Sequence, residues 1–208
     1  MNKRAFMMLG ASALLSSVPA LSSAGTYMPV YMTYDDGPNN PNTKAVLDFL
    51  AIYQMKASFF IVGRNIRGNE RILRRIHDEG HTIGNHSWSH QNLRNLSEKA
   101  VFKELDMTNN AIRAVTGVTP RFFRPPYGDM GQGMKNRIDS HFGMRTVMWD
   151  IDTMDWSNKS PQIMHDKVMS RIRPGAVVLM HDIHYPTALA GPRIYHSMMR
   201  AGYRSVGL

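Results

Sequence analysis

Carboxylate and imidazole side chains, the groups that bind metals and transfer protons, are concentrated at a few points of the chain. Asp35 and Asp36 stand together in TYDDGP, and His86 and His90 lie four residues apart in HSWSH. Two histidines and one carboxylate can bind a catalytic metal ion and leave positions open for water and substrate. The second carboxylate can then take a proton from water. The two segments together predict a catalytic rather than a structural metal site.

Each of these segments alone has a plainer interpretation. The spacing of His86 and His90 places both imidazoles on one face of a helical turn, but such pairs are more often found on a surface. A simple Asp-Gly turn after a strand would explain TYDDGP. Three further segments carry polar groups of this kind, namely Arg124, then Asp150, Asp152 and Asp155, then His181 and Asp182. Because all five segments follow or end a predicted strand, we favour a shared site over ordinary turn residues.

The hydrophobic pattern predicts the elements that must position these groups. Strands are predicted at 29–34, 57–62, 81–85, 121–124, 144–149, 176–180 and 203–206. Helices are predicted at about 43–53, 69–80, 97–115, 132–141, 160–173 and 192–200. Such alternation is typical of a parallel α/β sheet, closed as a barrel or open and doubly wound. In a parallel barrel the carboxyl ends of the strands share one face, where active sites form.

Composition excludes several classes of protein. The chain has no cysteine, which excludes disulfides, thiolate nucleophiles, zinc fingers and cysteine-ligated iron–sulfur clusters. The segment after the first strand also lacks the glycine-rich loop that nucleotide-binding proteins use. The formal net charge is +9, which favours an acidic envelope polymer or a membrane surface as partner. No nucleic-acid partner is expected, because the basic residues are scattered. The local run, Arg64, Arg67, Arg71, Arg74 and Arg75, is interpreted as a solvated helix face.

The first residues have the layout of a secretory signal peptide. A basic start containing Lys3 precedes an uncharged apolar stretch at 5–21, and Ser22 and Ala24 occupy the −3 and −1 positions of a cut before Gly25. Pro19 interrupts the apolar stretch, which is short for a membrane anchor. We therefore expect a signal peptide at 1–24 and a single catalytic domain at 25–208. The mature chain is expected to be secreted, periplasmic or bound to the cell envelope, without a transmembrane span.

Five segments in order, TYDDGP, HSWSH, RPPYG, DTMDW and VLMHD, resemble the motifs of the polysaccharide deacetylases. This is the NodB-homology domain of carbohydrate esterase family 4. The resemblance runs from about Val30 to the end of the chain, and its main departure is Tyr34, where phenylalanine is commoner. It implies a distorted barrel of the (β/α)7 type in one domain. Tyr34 leaves the acidic pair intact.

The resemblance implies a metal centre and a base beside it. Asp36, His86 and His90 would bind a divalent ion, most often Zn²⁺, with Co²⁺ or another divalent ion as alternatives. Asp35 would be the general base, and Arg124 would keep it ionised and oriented.

The resemblance also implies the remaining parts of the site. His181 would be the general acid that protonates the leaving amine, and Asp155 would keep it charged and oriented. The backbone N–H of Tyr127 would stabilise the oxyanion, and Trp156 and Leu179 would line the pocket for the acetyl methyl group. The roles of Asp150, Asp152 and His184 remain open at this point. They do not match a role implied by the motifs.

The implied activity is hydrolysis of a carbon–nitrogen bond other than a peptide bond. A monomeric enzyme would remove N-acetyl groups from polymers containing N-acetylglucosamine, either chitin and chitooligosaccharides or peptidoglycan. An O-acetyl xylan esterase of the same fold is the main alternative. An iron oxygenase would leave Asp35, Arg124 and His181 without roles, and an inactive sugar-binding protein would be expected to lack the base or the acid.

Overall fold

Short strands and helices alternate along residues 27–208, the part of the chain that the computed structural model describes. The predicted signal peptide at 1–24 lies outside the described residues. The strands are β1 (Met28–Asp35), β2 (Ser58–Ile61), β3 (Thr82–Asn85), β4 (Phe122–Phe123), β5 (Arg145–Thr146), β6 (Ile151–Asp152), β7 (Val177–His181) and β8 (Tyr203–Ser205). The α-helices are α1 (Asn42–Tyr53), α2 (Glu70–Asp78), α3 (Glu98–Thr116), α4 (Gln132–Phe142), α5 (Pro161–Met169) and α6 (Tyr185–Arg200). Within these residues, none of the helices has both the length and the apolar character needed to cross a bilayer.

The strands form one parallel sheet in the order β5-β4-β3-β2-β1-β7-β6, with β8 paired to the start of β1. The sheet curls into a half-barrel, which confirms the predicted distorted (β/α)7-type fold. Strand β1 lies between β2 and β7, and its last residue, Asp35, is in register with Phe60 of β2 and His181 of β7. The carboxyl ends of the central strands therefore meet at one edge, where the candidate site lies.

The side chains of β1 point alternately to two faces, and this separates the hydrophobic core from the site. Val30, Met32 and Tyr34 are buried in the main hydrophobic core with α1 and α6. Successive side chains of a strand point to opposite faces, so Thr33 and Asp35 point to the other face, into the barrel. Both of them hydrogen-bond to Arg124 there.

The predicted strand at 144–149 is wrong in its extent. The chain forms β5 only at Arg145–Thr146 and then a separate strand, β6, which starts at Ile151. The N–H of Val147 still donates to Phe123 of β4 (2.9 Å), but the N–H of Asp150 donates to Val177 of β7 (2.9 Å). The segment thus passes from one edge of the sheet to the other, and residues 147–150, which make this crossing, belong to neither strand.

The predicted start of the last helix, at Pro192, is also wrong. Helix α6 begins at Tyr185, and Pro192 lies inside it. Gly191 lets α6 pack against α1, since a Cβ there would lie 3.0 Å from Cε2 of the Phe49 ring and closer still to two other ring atoms. The hydroxyl of Tyr53 in α1 donates to the carbonyl of Pro192 (2.9 Å). Packing against α1 therefore outweighs the helix-breaking tendency of Gly-Pro.

Candidate active site

A cleft of about 480 Å³ opens at the carboxyl ends of the strands. Its lining consists of Asp35, Asp36, His86, His90, Pro125, Tyr127, Gly128, Trp149, Asp152, Trp156, Leu179 and His181. All of the predicted site residues are in this set except Arg124 and Asp155, which are fully buried directly behind it. The structure therefore brings residues from five separate segments of the sequence into one place.

Arg124 forms a buried ion pair with Asp35. Its Nη1 donates to Oδ1 of Asp35 (2.7 Å) and to the hydroxyl of Thr33 (2.8 Å). The remaining donors reach the carbonyls of Val147 and Met148, both at 3.1 Å. Four of the five N–H groups of the guanidinium are thus engaged, which holds the side chain in place, and only Oδ2 of Asp35 is left to face the cleft. That oxygen lies 3.6 Å from Nε2 of His86.

Asp36, His86 and His90 form a cluster suited to a metal ion. Their ligand atoms all lie within 4.8 Å of one another, and Oδ1 of Asp36 is 3.1 Å from Nε2 of His90 and 3.5 Å from Nε2 of His86. Ligands at about 2.0–2.1 Å in a tetrahedral zinc site are about 3.3 Å apart. Within the described chain, that buried Oδ1 receives no hydrogen bond of normal geometry. These three residues therefore fit a divalent cation.

The orientation and charge of the cluster agree with this fit. Nδ1 of His86 lies 2.7 Å from the carbonyl of Arg124, an arrangement in which Nδ1–H donates and Nε2 keeps its lone pair for a ligand. Burial raises the pKa of Asp36, but His86 and His90 lower it by more, so its net pKa lies well below the usual range. Asp36 is therefore held as the carboxylate that a metal requires.

The two histidines are not on a helical turn, so that prediction is wrong. Residues 86–90 form a loop in which Ser87 (φ 65°) and His90 (φ 57°) adopt left-handed backbone conformations. Oε2 of Glu104 in α3 accepts hydrogen bonds from the N–H of Trp88 (3.0 Å) and from the N–H and hydroxyl of Ser89 (2.7 and 3.0 Å). The loop is thus shaped by a carboxylate from outside it, and the imidazoles converge without a helix.

His181 is paired with Asp155 on the other side of β1. Nδ1 of His181 lies 2.7 Å from Oδ1 of Asp155, and Oδ2 of Asp155 accepts from the N–H of His181 (2.7 Å) and the hydroxyl of Thr187 (2.6 Å). Burial lowers the pKa of His181, but the hydrogen bond and charge of Asp155 raise it, to about 9 overall. His181 is therefore protonated at neutral pH. Asp155 engages its Nδ1 and leaves Nε2–H free.

Aromatic side chains form the walls of the cleft. Tyr127 adopts a left-handed conformation (φ 60°), and its ring packs 4.9 Å from that of His90. Asp152, whose role was open, accepts from the N–H of Met154 (2.7 Å) and lies 3.5 Å from the indole nitrogen of Trp156. It therefore holds the loop that presents Trp156.

Two further residues whose roles were left open, Asp150 and His184, lie outside the lining of the cleft. Asp150 accepts from Arg173 (2.7 Å) and from the N–H of Val177 (2.8 Å), which anchors the start of β7. His184 directly precedes α6, and its ring centre is 6.0 Å from that of His181.

Sequence reasoning missed several residues that support the site. Glu104, Thr187, Asn65 and Thr33 hydrogen-bond to site segments, and Trp149 lines the cleft. Each lies within a helix, strand or loop whose local pattern looks ordinary. Only Trp149, which directly precedes the acidic segment at 150–155, carried a local signal.

The fold and the cleft define a parallel α/β half-barrel with a candidate metal centre at its carboxyl edge. Residues 24–147 match the family model described as polysaccharide deacetylase. The chain belongs to the polysaccharide deacetylase family, and the predicted resemblance is confirmed. At the level of the family, the predicted hydrolase class is confirmed as well.

Individual relatives agree with this membership. The chain is 34% identical to a peptidoglycan-N-acetylglucosamine deacetylase of Listeria monocytogenes, over 91% of this chain but 40% of that protein. It therefore spans less than half of that relative's length. It is 35% identical to a chitooligosaccharide deacetylase of Rhizobium leguminosarum bv. trifolii, over 82% of this chain and 79% of that protein. Among solved structures, the peptidoglycan deacetylase PdaC from Bacillus subtilis superposes with a TM-score of 0.82 at 34% identity, covering 88% of both chains.

Substitution of Arg124 by methionine should strongly destabilise the fold. It would leave the Asp35 carboxylate buried without a partner, a situation that typically costs about 3–5 kcal/mol. The measurement is the free energy of unfolding in urea at neutral pH. The double variant Arg124→Met/Asp35→Asn removes the stranded charge and should recover part of the loss. A loss below about 1 kcal/mol for Arg124→Met alone would show that the pair does not hold this end of the barrel.

Proposed function

We propose that this chain is a metal-dependent deacetylase that removes N-acetyl groups from polysaccharides containing N-acetylglucosamine. The observation that carries this proposal is the joint placement, in one cleft, of a metal-binding cluster, a carboxylate base and a protonated histidine. Residues 25–208 would form a single catalytic domain. Export through the signal peptide at 1–24 would place it at the cell envelope or outside the cell, where the polymers named for its relatives occur.

Asp36, His86 and His90 would hold the divalent ion, most often Zn²⁺. A cation bound there would polarise the acetyl carbonyl and make water more acidic. Asp35 would accept the proton of the attacking water at Oδ2, because Oδ1 is engaged by Arg124. Since Arg124 also fixes the carboxylate plane, the base would not need to reorient before the proton moves.

His181 would donate the proton that the leaving amine requires. An amide nitrogen is a very poor leaving group without protonation, so the acid matters more for an amide than for an ester. The pKa of about 9 keeps His181 charged before the reaction. Asp155, fixed by Thr187, would keep Nδ1 occupied and direct Nε2–H at the substrate.

The rest of the cleft would bind the acetyl group. The backbone N–H of Tyr127 would stabilise the developing oxyanion. Trp156 and Leu179 would surround the methyl group, and both line the cleft. An O-acetyl xylan esterase remains the second candidate, because ester and amide hydrolysis share a tetrahedral intermediate.

Unpaired positive charge that begins next to the histidine loop would favour an acidic glycan such as peptidoglycan over a neutral one. Arg64, Arg67, Arg71 and Arg74, which we call the arginine surface, are exposed. None of them has a carboxylate within 4 Å among residues 27–208, whereas Arg75 pairs with Asp48 and Glu79. The surface begins beside the cleft, since the N–H of Arg64 donates to the carbonyl of Trp88 (3.1 Å) in the histidine loop. Unpaired cations there would attract a carboxylate-bearing polymer.

The two adjacent aspartates should respond differently to the same change. Asp35→Asn removes the base but no ligand, so it should bind metal normally and lose most turnover. Asp36→Asn should lose metal affinity, and His86→Ala should lose both metal content and rate. Metal content is measured by elemental analysis, and turnover by acetate release from chitooligosaccharide, peptidoglycan and xylan. Chelation should abolish wild-type activity, and zinc or cobalt should restore it. Normal metal content in Asp36→Asn together with loss in Asp35→Asn would reverse the two roles.

His181→Ala should separate amide from ester hydrolysis. General acid catalysis is typically worth about 10²–10⁴-fold, so the variant should lose about that factor on N-acetylated sugars. On an aryl acetate, whose leaving group needs no proton, the loss should be much smaller. The wild-type amide rate should fall as the pH rises through about 9, because His181 then loses its proton. Equal losses on both substrates would mean that His181 positions substrate instead of donating a proton.

The arginine surface should raise the preference for acidic glycans. In the variant Arg67→Glu/Arg71→Glu, we expect the ratio of kcat/KM on a C6-carboxylated chitooligosaccharide to that on the uncharged parent to fall about tenfold. That factor corresponds to about 1.4 kcal/mol. In 1 M salt, where the Debye length is about 3 Å, the difference should disappear. Arg171→Glu/Arg200→Glu is the matched control, with two exposed arginines replaced elsewhere. An equal fall in the control would assign the effect to net charge alone.

A further inference from the structure

The backbone of the proposed metal ligand Asp36 is held in an unfavourable conformation. Its φ is 77°, in the left-handed region that residues with a side chain rarely occupy. Conformations of this kind cost about 1–3 kcal/mol and persist only where the surroundings enforce them. The neighbouring contacts must therefore supply that enforcement.

Two of these contacts come from the loop that follows β2. The side-chain amide of Asn65 donates to the carbonyl of Asp36 (2.8 Å). The N–H of Val62 donates to the carbonyl of Gly37 (2.9 Å). Both hold carbonyl groups on one side of the turn. The turn has a second support on the side of β7.

On that side the support is Asp182, the last residue of VLMHD and one with no catalytic role in the proposed mechanism. It is fully buried. Its Oδ2 accepts from the hydroxyl of Thr43 (2.6 Å), whose oxygen in turn accepts from the N–H of Asn39 (2.8 Å). Its own N–H donates to the carbonyl of Asp35 (3.3 Å). Asp182 thus contacts both ends of the segment 35–43.

The carboxylate of Asp182 also fills the space beside Gly37. A Cβ at Gly37 would lie 2.6 Å from Oδ1 and 2.8 Å from Cγ of Asp182, and closer still to Oδ2. The φ of Gly37 is outside the left-handed region, so its backbone would accept alanine. The obstacle to a side chain at position 37 is therefore the Asp182 carboxylate, and the two residues form a matched pair.

We propose that Asp182 is a positioning residue that sets metal affinity by fixing Asp36 through Gly37 and Thr43. This inference rests on the proposed metal site. It gives a functional reason for the close fit between Gly37 in TYDDGP and Asp182 in VLMHD. Asp182 is not among the residues that line the cleft, so in this proposal it acts through the turn.

The test measures metal affinity of the full chain after the metal has been removed. Zn²⁺ is titrated by calorimetry in competition with a chelator, and Co²⁺ absorption reports the ligand geometry. The variants are Asp182→Asn, Asp182→Ala, Gly37→Ala and the double variant Gly37→Ala/Asp182→Ala. Ser58→Ala is the matched control, because Ser58 is also fully buried and hydrogen-bonded (3.1 Å from the N–H of Leu208) but lies at the start of β2, away from the cleft.

Asp182→Ala and Gly37→Ala should each lower Zn²⁺ affinity about 10–100-fold, as removal of a residue that orients a ligand usually does. Asp182→Asn keeps an acceptor for Thr43 and should stay within about threefold of wild type. The double variant should bind metal no more weakly than Asp182→Ala, since the clash at position 37 is then gone. Ser58→Ala should bind normally.

Wild-type affinity in Asp182→Ala, or additive losses in the double variant, would overturn the inference. If Asp182→Ala does not fold, Gly37→Ala and Asp182→Asn still test the inference. Normal Zn²⁺ affinity in Gly37→Ala would then overturn it. A wild-type chain that binds no metal would instead overturn the proposed function. The two failures are thus distinguishable.

Discussion

The buried ion pair between Arg124 and Asp35 is the constraint on which the rest of the site depends. Burial of a guanidinium is costly unless its donors are paired, and here Asp35, Thr33 and the carbonyls of Val147 and Met148 engage four of its five N–H groups. Those carbonyls lie where the chain crosses from β5 to β6, so the pair also fixes that crossing. The carbonyl of Arg124 orients His86 as well. One residue therefore aligns the proposed base and a proposed metal ligand.

The two faces of β1 explain how a small barrel can support so many buried polar groups. The face that carries Val30, Met32 and Tyr34 belongs to the main hydrophobic core, and burial of apolar side chains supplies most of the stability of a fold. The opposite face carries the polar network. Arg124, Thr33 and Asp35 are hydrogen-bonded to one another there, so their burial fixes geometry instead of merely reducing stability.

Much of the fold and most of the site could be predicted because their signals are local. Strand ends are marked by adjacent turn residues, so the grouping of Asp35, His86, Arg124 and His181 followed from the order of the strands. What failed depended on contacts between distant segments. Glu104 shapes the histidine loop from α3, and the packing of Gly191 on Phe49 carries α6 through Pro192. A sequence pattern shows neither, because neither partner lies within the same element.

The short connection between β7 and α6 has a consequence for how related chains can differ in length. Within a few residues, His181 faces the cleft, Asp182 supports the turn at Gly37, and Thr187 in the first turn of α6 holds Asp155. An insertion between 181 and 187 would shift these groups relative to one another and disturb both halves of the cleft. Natural variants that gain or lose residues should therefore do so elsewhere, and this connection should keep a constant length even where its residue types drift.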